Sequence, residues 1–182
     1  MNDLEEVVSY LTGDFSNKKQ FEQLSEDQKE KFPYAVHRNH ILTPKIEGIP
    51  KNFEGVFLHE ESYYTLNNRE RFKTDIFLFS FNEEQRVKLS AVTIPKKYDN
   101  KKFDDIEFIA YNELSVSEKF VPIVYEKIDD AYIGKSESMI TASNRFFLTQ
   151  KISSKSLVIK EEIFKEDRRI FGFDKAIVYE RN

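Results

Sequence analysis

Gly55-Val56-Phe57-Leu58-His59-Glu60-Glu61-Ser62-Tyr63-Tyr64, followed by Arg71-Phe72-Lys73-Thr74-Asp75-Ile76-Phe77-Leu78-Phe79-Ser80-Phe81, decides the fold. Successive side chains of a strand point to opposite faces. In the second stretch Arg71, Lys73, Asp75, Phe77, Phe79 and Phe81 therefore share one face, and Phe72, Thr74, Ile76, Leu78 and Ser80 the other. Large apolar groups stand on both. That predicts a strand covered on both sides, as in a barrel wall packed outside by a helix or by a partner subunit.

Downstream of Tyr34 the same short, aromatic and β-branched pattern recurs. It predicts strands over 36–42, 55–64, 72–81, 87–94, 106–111, 122–128, 132–135, 145–151, 156–164 and 177–180. Asn82-Glu83-Glu84, Asp129-Asp130 and Ser143-Asn144 have turn chemistry. Upstream the period is helical. Leu4, Val7, Val8 and Leu11 form one stripe, with Asp3 as N-cap and Gly13 as stop. A second helix is expected over 18–32, capped by Ser16 or Asn17, with Phe21 and Leu24 inward and Pro33 closing it. The expectation is one domain over 1–182: an antiparallel barrel or sandwich with a helical layer over 1–33.

Composition bounds the function. The 182 residues include 17 Phe and 9 Tyr, no Trp and no Cys. Absent cysteine excludes disulfides, thiol nucleophiles and thiolate metal sites. A net charge of −4 argues against a dedicated nucleic-acid surface. No run of apolar residues is long enough to span a membrane, and the acidic opening Met1-Asn2-Asp3-Leu4-Glu5-Glu6 is unlike a secretory signal, so a cytoplasmic location is expected. No phosphate-binding glycine loop and no nucleophile elbow occur. His37 and His40 fall on opposite faces of a strand, which predicts surface or pocket-rim histidines and no metal pair. Glu60 and Glu61 follow His59: either a polar outer face with one inward acid, or a cavity carboxylate fit for acid–base work. Many aromatic strand residues fill a barrel, or line one that holds an elongated ligand.

Several stretches, in order, resemble the CpcT/CpeT family of phycobilin chromophore lyases. Leu11-Thr12-Gly13-Asp14-Phe15-Ser16-Asn17-Lys18-Lys19-Gln20 is similar to its Gly-x-Phe-x-Asn-x-x-Gln stretch after an opening helix. Gly55 to Glu61 resembles its strand ending in Glu-Gln-Ala, and Leu66 to Lys73 its Pro-Tyr-Arg-x-Arg segment, with Arg71 as the first arginine and Lys73 in place of the second. Tyr132-Ile133-Gly134 resembles a Phe-x-Gly, Asp167-Arg168 an Asp-Arg-Gly, Phe171-Gly172 a Trp-Gly, and Tyr179-Glu180-Arg181 a closing aromatic-x-Arg. His59 stands for the family's Glu, Glu60 for its Gln and Glu70 for its Tyr; its cysteine pair is absent.

The resemblance implies a calycin-like antiparallel β-barrel, often homodimeric, that binds a linear tetrapyrrole as substrate or ligand and needs no other cofactor and no metal. It implies bilin attachment to a cysteine of a phycobiliprotein subunit. Glu60 and Asp75 are then the candidate catalytic acids, and Arg71, Lys73, His59, Tyr63, Tyr132, Asp167 and Arg168 the candidate ligand-binding residues. Arg71, Lys73 and Glu60 are expected to form one polar patch in the barrel mouth, with Glu60 facing the two cations. The alternatives are a non-catalytic barrel for another tetrapyrrole or amphipathic ligand, and a filled barrel used in protein interaction.

Overall fold

Asn2, not Asp3, starts the first helix. Its side chain accepts from Glu5 N–H while Glu5 reaches back to the Asn2 N–H, a reciprocal cap that moves the helix start one residue upstream. The computed structural model describes all 182 residues. The elements, in order, are α1 (Asp3–Leu11), β1 (Gly13–Ser16), α2 (Lys18–Glu22), α3 (Glu26–Lys29), β2 (Tyr34–Ile41), β3 (Ile46–Glu47), β4 (Gly55–Leu66), β5 (Arg69–Phe81), β6 (Val87–Thr93), β7 (Ile109–Ala110), β8 (Ser115–Val116), β9 (Ile123–Val124), β10 (Glu126–Ile128), β11 (Ala131–Met139), β12 (Asn144–Ser153), β13 (Ser156–Lys165), β14 (Arg168–Gly172) and β15 (Ile177–Arg181). No helix is long and apolar enough to cross a membrane.

The protein is mainly β, built on one large antiparallel sheet in the order β10-β11-β12-β13-β15-β1-β2-β4-β5-β6-β8, with β14 on β13 and β9 on β6. The first and last strands are neighbours: β1 lies between β15 and β2, and Ser16 Oγ donates to Asn182 Oδ1 at 2.6 Å. The expected closed barrel is corrected: the sheet is not closed. The chain over 123–128 spans the space between the two arms, with β9 paired to β6 and β10 to β11. Between them Tyr125 donates its N–H to Val87 O at 2.9 Å. The crossing segment spends its hydrogen bonds first on one arm and then on the other, so no single ladder joins them.

Three other expectations change. The helix over 18–32 is two short helices, because Ser25 makes a capping box with Gln28 and restarts the chain after α2. The strand over 106–111 is mostly irregular; only β7 survives, paired in parallel with β3. Ile106 and Ile109 are both fully buried in one cluster, and that three-residue spacing is a turn's, not a strand's. β1 and β14 were not expected at all. Asn67 and Asn68, both with positive φ, make the two-residue hairpin between β4 and β5 and start β5 at Arg69.

The core has two parts. On the inner face Leu4, Val7, Val8 and Leu11 of α1 pack with Phe15, Leu58, Phe79, Leu89, Ile152 and Leu157. On the outer face of β4 and β5, Phe57 and Ile76 pack under Leu42, Ile46, Tyr98, Ile106 and Ile109. The two-sided apolar character of β5 is thus met by the chain's own irregular segment, where a helix or a partner subunit was expected.

Candidate ligand cavity

The β4–β5 ladder pairs Glu60 with Asp75, Ser62 with Lys73 and Tyr64 with Arg71; β2 adds Asn39 opposite Glu60 and His37 opposite Ser62. Period-two alternation therefore gathers Glu60, Asp75, Lys73 and Arg71 on the inner face, the parity read from sequence. Their pairing differs from expectation. Glu60 faces His37, whose Nδ1 lies 3.2 Å from Glu60 Oε2, and Ser62 donates to Glu60 Oε1 at 3.2 Å. The Nδ1 contact is close enough for an ion pair but off-axis for a hydrogen bond. His37, expected at the surface or a rim, is 2% exposed. On its other side Nε2 lies 3.1 Å from Tyr64 Oη and 3.0 Å from Tyr179 Oη.

Above this cluster opens a cavity of about 660 Å³ between the β4–β5 hairpin and the β13–β15 arm. Tyr64, Tyr179 and Glu161 line it together with Phe171, Phe173, Ile159 and Ile177. Four cations also line it: Arg69, Arg71, Lys160 and Lys175. Lys160 is paired with Glu162 at 3.2 Å, whereas no carboxylate pairs with Arg69, Arg71 or Lys175.

Burial dominates the electrostatics. It acts to raise Glu60, but attraction to the His37 ring 3.2 Å away and a hydrogen bond from Ser62 outweigh it and hold that carboxyl below its usual value. Asp75 goes the other way. Burial, helped by Glu60, outweighs Lys73 at 2.8 Å, a lysine whose own side chain is 67% exposed. Glu161 is also raised, by burial and by Glu60 and Asp75, against the pull of Lys73 and His37. Tyr64 and Tyr179 are pushed up by burial and by neighbouring groups, so both phenols are neutral donors at physiological pH.

An acid raised in the fold favours the folded state at low pH, and that advantage is lost as pH rises through its folded pKa. Glu161→Gln should therefore raise the melting temperature by a few degrees at pH 8, with the gain vanishing below about pH 4, where the unfolded chain is protonated too. Thermal melts of the two proteins across pH check this; an unchanged or lower melting temperature at pH 8 contradicts it.

The remaining expected site residues lie elsewhere. His59 and Tyr63 are on the outer face of β4. His59 Nε2 is 3.0 Å from Lys101 O, and Tyr63 donates to Glu61 at 2.7 Å, its hydroxyl pushed up to about 12 by burial and Glu61. Tyr132 is at the α1 end, donating to Asp3 at 2.8 Å. Asp167 is an exposed turn residue 3.9 Å from Arg145, and Arg168 is exposed on β14. His40 stacks on Phe103 at 4.4 Å, on the face away from His37. The cavity thus keeps Arg71 in its lining, with Glu60 behind it on His37, whereas Lys73 and Asp75 border a second, smaller pocket. His37, Tyr64, Glu161 and Tyr179 were not expected there. No family model, no curated protein and no solved structure matches this chain.

Proposed function

We propose that the cavity binds an elongated amphipathic ligand that carries carboxylates. The observation that carries this reading is the arrangement of the lining: unpaired Arg69, Arg71 and Lys175, aromatic Tyr64, Tyr179, Phe171 and Phe173, and the half-buried acid Glu161. Arginine takes carboxylates bidentately, and mixed apolar walls with a few polar groups are the usual lining of a small-molecule site. A linear tetrapyrrole, implied by the resemblance to chromophore lyases, has this chemistry. Its two propionates suit the cations, its rings suit the aromatic walls and its pyrrole N–H groups suit a carboxylate. In this reading the inner face of the sheet serves as a calycin-like cup, and bilin transfer to a phycobiliprotein is the activity the cup would support.

Titration with biliverdin, followed by its visible absorbance, tests binding. The expected result is saturable one-to-one binding that weakens about tenfold when Arg69→Ala and Arg71→Ala are combined, the scale of losing one charge-assisted contact. The melting temperature should stay nearly constant, because both arginines are exposed. No saturable binding of biliverdin overturns the tetrapyrrole assignment. Transfer is read separately, as a covalent bilin on an added phycobiliprotein subunit.

A further inference from the structure

Tyr64 and Tyr179 place two phenolic hydroxyls on one imidazole nitrogen. That nitrogen has one lone pair when the ring is neutral on that side and one N–H when it is protonated there. In the first case it accepts from only one hydroxyl. In the second it donates, and both hydroxyl protons are free. At least one phenolic O–H therefore lacks a short acceptor at His37. Its remaining partner is the other phenol: the two oxygens are 3.5 Å apart, beyond the usual span of an O–H···O bond. Yet Tyr179 is completely buried, Tyr64 partly so, and both line the cavity. A buried hydroxyl with no good acceptor costs free energy that a ligand can recover.

We infer that the floor of the cavity is a binding site for a neutral carbonyl oxygen, held by the hydroxyls of Tyr64 and Tyr179. This rests on the cavity being the binding site and names the polar group it takes at its inner end. The group is an acceptor, because the floor offers phenol donors. It is neutral, because Glu60 lies behind His37 and an anionic oxygen would meet its charge. His37 and Glu60 are positioning residues: the ring fixes both phenols, and Glu60 and Asn39 flank it.

Prodan, a naphthyl ketone whose emission moves to the red when its carbonyl accepts hydrogen bonds, is the probe. Anilinonaphthalene sulfonate, which has no carbonyl, reports the cavity alone. Wild type should bind both, with prodan emitting as in an alcohol. Combining Tyr64→Phe and Tyr179→Phe should shift bound prodan to the blue and weaken it about tenfold, while sulfonate binding is unchanged. His37→Gln should give part of the blue shift. If the double variant does not fold, Tyr64→Phe alone is read for the same shift. Prodan bound with an emission indifferent to these changes overturns the carbonyl site and leaves the cavity standing. Failure of wild type to bind either dye overturns both.

Discussion

Replacing His37 with alanine is expected to lower the free energy of unfolding by about 4 kcal/mol, because it leaves a buried carboxylate and two phenols without the partner they share. His37 is 2% exposed and touches three groups that have little else: Glu60 on one side, Tyr64 and Tyr179 on the other. Its removal leaves Glu60 with Ser62 alone, and leaves the phenols a 3.5 Å contact with each other. The pH dependence gives the loss its signature. In wild type Glu60 sits below its usual value, so its contribution is present above about pH 4.5 and disappears as pH falls through its folded pKa. In the variant burial acts on Glu60 without that compensation and drives it up. The penalty should therefore be full at neutral pH and shrink on acidification. Urea unfolding of both proteins at pH 7 and pH 4 measures it. An equal loss at the two values removes Glu60 from the account. Arg71→Ala, at an exposed residue with no ion-pair partner, should change stability by less than about 0.5 kcal/mol. That outcome separates this arrangement from one in which Arg71 balances Glu60.

The half of the site legible in the sequence is the half that one hairpin specifies. Alternation alone places Glu60, Lys73, Asp75 and Arg71 on one face, because parity survives any error in the hairpin's exact register. The other half comes from β2, β13 and β15. Tyr179 is 142 residues from His37, and nothing local in either stretch signals that the two meet. His37 looked like a surface histidine because polar groups are mostly exposed; what buries it is the pair of phenols and the acid around it. The fold divides similarly. Strong alternation showed β4, β5, β12 and β13, whereas β1 and β14 are four and five residues long, too short for a period to register. The broken helix was readable in principle: Ser25 and Gln28 have capping-box spacing inside the expected helix. The open sheet was not, since it depends on one segment, 123–128, dividing its hydrogen bonds between two arms.

That segment carries the second large effect: Gly134→Val should cost about 3 kcal/mol, at the upper end for overpacking. A Cβ at Gly134 would lie 2.2 Å from Ile123 Cγ2 and 2.9 Å from Tyr125 Cδ1, separations at which something must move. Ile123 and Tyr125 are 1% and 2% exposed and belong to the main core, so neither has free space to move into. Gly134 also faces Gln150, which accepts from the Tyr125 hydroxyl, so displacing the Tyr125 ring would strain that bond as well. The glycine is required by close approach and not by its backbone, since its φ is an ordinary one. A double-mutant cycle isolates the contact. Ile123→Ala alone should also destabilise, by leaving a hole of about the size that the valine needs. Combined with Gly134→Val it should cost clearly less than the sum of the single changes, by 1 kcal/mol or about that, because each change fills or vacates the same space. Additive losses would mean that the 123–128 segment does not pack on β11, and the two arms of the sheet would then have to be joined in some other way.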